Sequence, residues 1–193
     1  MLFRSPGDVL LAIDAAYAEF VEADDYDAGE DLVRAGDNTV MLRTFSKIYG
    51  LAGLRLGWAF CPPAIADVLN RVRGPFNTSA PAQAAALAAL DDREHENNSR
   101  THNKTWRGWL VAALTAQGYR VHPSVGNFLL VEFADADGAD LFLKSRGLIL
   151  RKMGAYGLPN CLRVTIGTEV ETKALAEALA DFARKPALAA QHR

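Results

Sequence analysis

The sequence predicts an α/β fold, and three observations carry that expectation. Short continuous apolar runs end abruptly in polar residues, as strands buried on both faces do. Longer alanine-rich or amphipathic segments alternate with them, and glycine or proline stands at many of the joins. The chain has 193 residues, 50% of them hydrophobic and 23% charged, an ordinary balance for a globular protein. That length suffices for one large domain or two small ones and buries about 70% of the unfolded surface.

Val9 to Ile13 is the first apolar run, ending at Asp14, and reads as a buried strand. The acidic stretch EADDYDAGEDL reads as a loop entering a short helix. NTVMLRTF, with its core at Thr39 to Arg43, and LRLGWAF follow as two further strands. Pro62 and Pro63 end the second and open a helix through AIADVLNRVR. After GPFNTSAP, Ser79 is a candidate N-cap for an alanine-rich segment, which continues with one or more breaks to Gly118. Beyond it, NFLLVEF, GLILRKM and CLRVTIG read as strands, and ADADGADLFLKSRG and TEVETKALAEALADFARK as helices. The composition changes near Gly118, from which strand and helix alternation suggests a second α/β unit. The domain boundary is expected somewhere near residue 100, giving 1–100 and 101–193, with a frayed tail PALAAQHR.

Several functions are excluded at this level. A net charge of −2 with no basic stripe argues against nucleic-acid binding. No apolar run approaches the roughly 20 residues of a membrane span, and Asp8 and Asp14 around five apolar residues make a poor signal peptide. Cys61 and Cys161 stand far apart without a C-x-x-C, as reduced thiols of a cytoplasmic protein do. His95 and His102 lie seven apart in HENNSRTH, but no H-E-x-x-H and no third ligand accompany them. A solvated or inter-helix polar face is the reading there, no metal is expected, and Trp106 and Trp109 read as the apolar side of the same helix.

The stretch RTFSKIYGLAGLRLGW, residues 43–58, is harder to dismiss as packing. Lys47 follows a buried strand and has Thr44, Ser46 and Arg55 nearby, a donor set suited to a phosphate. Such a lysine can serve as a carbonyl-condensing amine, or it can be a surface lysine in a tight turn. The Walker motif is absent, since Lys47 precedes its glycines. Asp14 at a strand end is either a ligand-site carboxylate or a helix N-cap, and Tyr17 follows it by three residues.

Taken together, DAAY and RTFSKIYGLAGLRLGW resemble the pyridoxal-phosphate (PLP)-dependent class I and II aminotransferases of the aspartate-aminotransferase fold. Within that family the closest likeness is to the histidinol-phosphate aminotransferase branch. RGPFNTSAPAQAAALAAL and GLPNCLRVTIGT are similar to it as well. The resemblance implies that Lys47 is the Schiff-base lysine, Asp14 the partner of the pyridine nitrogen, and Tyr17 the donor to the ring's phenolic oxygen. It implies that Thr44, Ser46 and Arg55 hold the cofactor phosphate, and that Arg163 grips the substrate's anionic group. Arg151 is either a second anion contact or a strand-end arginine in a surface ion pair. The implied reaction moves an amino group between glutamate and imidazole-acetol phosphate, giving 2-oxoglutarate and histidinol phosphate, in a cytoplasmic homodimer. An aromatic or broad-range aminotransferase, or a PLP lyase acting on a phosphorylated substrate, would share these motifs; a panel of keto acids separates them.

Two departures stand out. Ala15 occupies a position that is usually acidic in the family. The likeness also begins near the family's middle, so the chain reads as its second half: part of the PLP-binding large domain, then the small domain. The family's first half brings a glycine-containing phosphate loop, an aromatic that stacks on the ring and an asparagine. On its own, this polypeptide is expected to expose apolar strand faces and not to transaminate, which keeps a non-catalytic fragment among the readings.

Overall fold

The computed structural model describes residues 6–184. The chain divides into two compact units, with the boundary between Arg100 and Thr101.

The first unit is built on three strands in the order β1-β2-β3. β1 (Leu11–Asp14) runs parallel to β2 (Thr39–Thr44), and β3 (Gly57–Phe60) returns antiparallel beside β2. Helix α1 (Glu30–Ala35) supplies the crossover from β1 to β2; Asp27 Oδ1 accepts the Gly29 N–H at 2.8 Å at its start. Gly57 pairs with Thr44, and a Cβ there would come within 2.7 Å of the Arg43 carbonyl oxygen, so only glycine lets the two strands approach. Helix α2 (Pro63–Val72) starts with proline at its first position, where no N–H is needed. Helix α3 (Ala80–Asp91) is capped as the sequence suggests, Ser79 Oγ accepting the Ala82 N–H at 3.3 Å. Asp92 breaks the alanine-rich helical stretch and starts α4 (Arg93–Ala116), its Oδ1 accepting the His95 N–H at 2.9 Å.

The strands of this unit are shorter and more open than expected. β1 begins at Leu11, leaving Val9 and Leu10 exposed, and alternates between half-buried and exposed residues. In place of a strand through LRLGWAF, a short 3₁₀ turn at Ala52–Leu54 and a left-handed Arg55 come first. β3 is largely solvent-facing, and Trp58 is exposed. Burial on both faces is found in the first half of β2, where consecutive Thr39, Val40 and Met41 are buried, but not in β1 or β3, which each pair with one strand only among the described residues. Its compact core is Ala15, Val33 and Met41, with Ala18, Ala28 and Phe60 packed around them.

The second unit holds a four-stranded antiparallel sheet in the order β4-β5-β7-β6. The strands are β4 (Arg120–His122), β5 (Phe128–Glu132), β6 (Arg151–Lys152) and β7 (Cys161–Thr165). Helices α5 (Ala136–Ser145) and α6 (Glu169–Arg184) complete the unit, with the C-terminal part of α4. The expected strand GLILRKM shrinks to two residues, because Arg151 and Lys152 alone pair with β7. Fifteen buried residues form one core, among them Leu110, Leu129, Val131, Leu162, Val164 and Leu179. Trp106 packs against that core as expected, whereas Trp109 is exposed and meets Trp106 edge-on at 5.6 Å. The expected frayed tail, from Pro186 onward, lies outside the described residues.

Candidate active site

Parallel pairing of β1 with β2 sets Asp14 opposite Leu42 and brings both strand ends to one edge of the sheet. That edge is where parallel α/β sheets bind ligands. Asp14 is exposed there and does not cap a helix; its Oδ1 accepts the Ala16 N–H at 3.1 Å in a local turn. Ala15 is buried in the core, so an apolar residue suits its position. The turn delivers Tyr17, whose ring lies 5.1 Å from Lys47 Nζ.

The lysine sits in a tightly bonded turn. Thr44 Oγ1 accepts the Ser46 N–H at 3.0 Å, the Gly50 N–H reaches the Lys47 carbonyl at 3.0 Å, and the Leu51 N–H reaches the Phe45 carbonyl at 2.9 Å. Gly50 closes the turn with a φ of +70°, a backbone that favours glycine. Arg55 adopts a φ of +52° after the 3₁₀ turn, and its guanidinium donates to the Ala52 carbonyl at 2.9 Å. Asp14, Thr44, Ser46, Lys47 and Arg55 all line one open cavity of about 360 Å³, together with Arg43. Five of the six residues proposed from the β1 and β2 strand ends thus share one cavity, and Tyr17 stands beside its lysine.

Arg43 is not an additional free cation in that cavity. Its Nε and one Nη donate to the same Glu19 carboxylate oxygen at 3.1 and 2.8 Å, and Glu19 is buried. Its guanidinium carbon also lies 5.5 Å from the Trp58 ring centre. Nothing in the sequence singled out this pair: Arg43 figured only as a strand residue, and Glu19 lies 24 positions away in an acidic-flanked stretch with no motif of its own.

Arg151 and Arg163 belong to the second unit and stand directly opposite each other across β6 and β7. Arg163 lies over the Phe128 ring at 5.0 Å, and its Nε is buried with no hydrogen-bond partner among the described residues. A buried donor without an acceptor is costly unless a ligand supplies one. Arg151 donates to the Tyr156 hydroxyl at 2.9 Å, in place of the surface ion pair that was its alternative. Two neighbouring guanidiniums can hold a carboxylate or a phosphate.

His95 and His102 each meet a backbone carbonyl within their own unit. The His95 Nε2 lies 3.2 Å from the Ile48 carbonyl oxygen, and the His102 Nε2 lies 2.9 Å from that of Gly167. No cluster of three or more His, Cys, Asp or Glu fit to hold a metal occurs among the described residues.

The sequence profile of the aminotransferase class I and II family matches residues 5–179. The chain belongs to that family. Among class I and II aminotransferases it is 57% identical to the histidinol-phosphate aminotransferase of Granulibacter bethesdensis over 186 residues, covering 94% of this chain and 50% of the relative. It is 55% identical to the enzyme of the same name from Rhodospirillum centenum over 181 residues, covering 92% and 50%. The chain spans about half the length of the curated relatives it matches. The crystal structure of the Sinorhizobium meliloti histidinol-phosphate aminotransferase in complex with pyridoxal-5'-phosphate superposes with a TM-score of 0.84 at 32% identity. That match covers 93% of this chain and 50% of the other. No helix among the described residues is long and apolar enough to cross a membrane.

The cavity's chemistry fits the cofactor of this PLP-dependent family. Two hydroxyls and a guanidinium suit a phosphate monoester, a lysine amine suits an aldehyde, and an exposed carboxylate suits a protonated ring nitrogen.

Proposed function

We propose that this chain carries the lysine-bearing part of a PLP-dependent aminotransferase that moves an amino group between glutamate and imidazole-acetol phosphate, in histidine biosynthesis. The observation that carries this reading is the single cavity shared by Asp14, Thr44, Ser46, Lys47 and Arg55. The likeness to histidinol-phosphate aminotransferases supports the choice of substrate. On this reading, residues 1–100 belong to the cofactor-binding large domain and residues 101–193 to the small domain of a cytoplasmic homodimer.

Thr44, Ser46 and Arg55 would hold the cofactor phosphate, Asp14 its ring nitrogen and Tyr17 its phenolic oxygen. When bound, the pyridinium ring supplies a sink for the electrons left when the bond to a proton at the amino acid's Cα is broken. Lys47 Nζ takes that proton as general base, and returns a proton as general acid when the amino group passes to the keto acid. Tyr17, 5.1 Å from the amine, keeps an aromatic face against it. Arg163 binds the carboxylate of glutamate or the phosphate of the other substrate, and Arg151 gives a second anion contact.

The test has two parts. Borohydride reduction of the chain with PLP, followed by peptide mapping, puts the pyridoxyl label on Lys47; a label on Lys104 or Lys144 instead sinks the assignment. The chain is then exchanged for the matching half of the Granulibacter bethesdensis relative. The chimera aminates imidazole-acetol phosphate with glutamate, and Lys47→Ala abolishes turnover. A folded, PLP-loaded chimera that prefers other keto acids overturns the substrate.

A further inference from the structure

The first turns of α4 reach both loops that carry the site. The Ile48 carbonyl, one residue beyond Lys47, is met by His95 Nε2 at 3.2 Å. The imidazole also lies against the turn's glycine, since a Cβ on Gly50 would stand 3.7 Å from His95 Nε2. Five residues on, Arg100 Nε donates to the Glu19 carbonyl at 2.8 Å, in the 3₁₀ turn that follows Tyr17. Arg100 is itself tied to the Glu96 carboxylate, and Arg93 meets the other oxygen of Glu96 at 3.0 Å. Glu19 in turn takes the Arg43 fork.

These contacts are specific in direction. Ile48 is buried, and its carbonyl lies inside the Lys47–Gly50 turn, whose own hydrogen bond uses the Lys47 carbonyl. That oxygen takes its hydrogen bond from outside the turn, at His95. A carbonyl accepts only, so His95 must carry its proton on Nε2; Ser99 Oγ, 3.4 Å from the same nitrogen, does not alter this. Asp92, which caps the helix, fixes the backbone from which the imidazole projects.

We propose that His95 and Arg100 are positioning residues: a two-point brace on one helix that sets the Lys47 loop against the Tyr17 loop. The proposal rests on the reading of Lys47 as the reactive amine. Neither residue touches that amine. His95 acts through the Ile48 carbonyl, and Arg100 through the Glu19 carbonyl. The brace holds Lys47 Nζ and the Tyr17 ring at their 5.1 Å separation, while the β1–β2 pairing fixes only the strand ends.

The experiment compares His95→Leu and Arg100→Met with the donor-keeping His95→Gln and Arg100→Lys, all in the 193-residue chain. Amide hydrogen exchange and borohydride mapping with PLP are the readouts. His95→Leu speeds exchange at Gly50 and Leu51 by about five- to tenfold, the loss of one hydrogen bond, and leaves Phe20 and Val21 unchanged. Arg100→Met does the converse. Both lower the share of pyridoxyl label on Lys47 relative to Lys152 and Lys173, and the donor-keeping variants restore it. In the unsubstituted chain, the imidazole nitrogen spectrum shows the Nε2–H form of His95. Unchanged exchange in both loops overturns the brace, as does equal acceleration of all amides in the first unit. If the unsubstituted chain labels another lysine, the reading of Lys47 falls, and the exchange pattern alone still decides the brace.

Discussion

Arg55 holds a left-handed backbone that costs an L-residue about 1–2 kcal/mol, and it does so at the rim of the cavity where its guanidinium is wanted. Glycine would adopt that backbone without strain, but adds freedom to the unfolded chain. Arg55→Gly is therefore expected to leave the unfolding free energy within about 1 kcal/mol of the parent, while weakening PLP binding at least about tenfold through the lost charge-assisted contact. Equilibrium titration by cofactor absorbance, beside urea unfolding, reads both. Unchanged affinity would remove Arg55 from the phosphate site and leave its strain without a purpose. At this scale the sequence was most informative where residues are neighbours in the chain. Thr44, Ser46, Lys47 and Arg55 span twelve positions, and the motif alone assembled them. His95 and Arg100 reach their carbonyls across 47 and 81 positions, and no local pattern announces such bonds.

Among the elements, α6 shows how a sequence signal becomes a pH dependence. Thr168 and Glu171 form a reciprocal cap: the Glu171 carboxylate accepts the Thr168 N–H and the Thr168 Oγ–H, both at 2.8 Å, and Thr168 Oγ1 lies 3.4 Å from the Glu171 amide nitrogen. Those bonds to the charged form hold the Glu171 carboxyl below its ordinary value, the backbone bond being the largest cause. A depressed folded value means stabilisation is fully present above the unfolded glutamate value of about 4.3, and is lost as pH falls through the lower folded value. Exchange at the Thr168 amide should therefore stay protected above about pH 5 and open in more acidic solution, whereas Glu171→Ala should show the opened state at every pH. Protection that ignores both changes would mean that the cap does not hold the helix start. The element pattern itself was legible wherever periodicity and caps agreed, as at Ser79 and Pro63. It failed where backbone geometry intervened: the left-handed Arg55 cuts the expected LRLGWAF strand to four residues. Burial held for Thr39, Val40 and Met41 of β2 and failed for β1 and β3, for a different reason. An apolar run says that a strand can be covered, and pairing partners decide whether it is; β1 and β3 have one each among the described residues.

For the whole molecule, the unequal cores of the two units govern stability. Among the described residues, one cluster of fifteen buried apolar residues closes the second unit, against nine buried apolar residues in the first, three of them in its compact cluster. Apolar burial contributes roughly 25 cal/mol per Å², so the first unit should open first. Trp58 reports on it, and Trp106 and Trp109 report on the second. In single-tryptophan variants, Trp58 fluorescence should change at lower urea than that of the other two, with hydrophobic-dye binding peaking between the transitions; coincident transitions would show one cooperative block. The order of these cores along the chain has its own consequence. A ribosome makes the sparsely cored residues before Arg100 ahead of the ninety-three that follow. At about 5–20 residues per second, the exposed edges of β1 and β3 wait about 5–20 s before the better-cored unit is even complete. Through that interval, whatever pairs with or covers the β1 and β3 edges has to do so before the second unit can contribute anything to the fold.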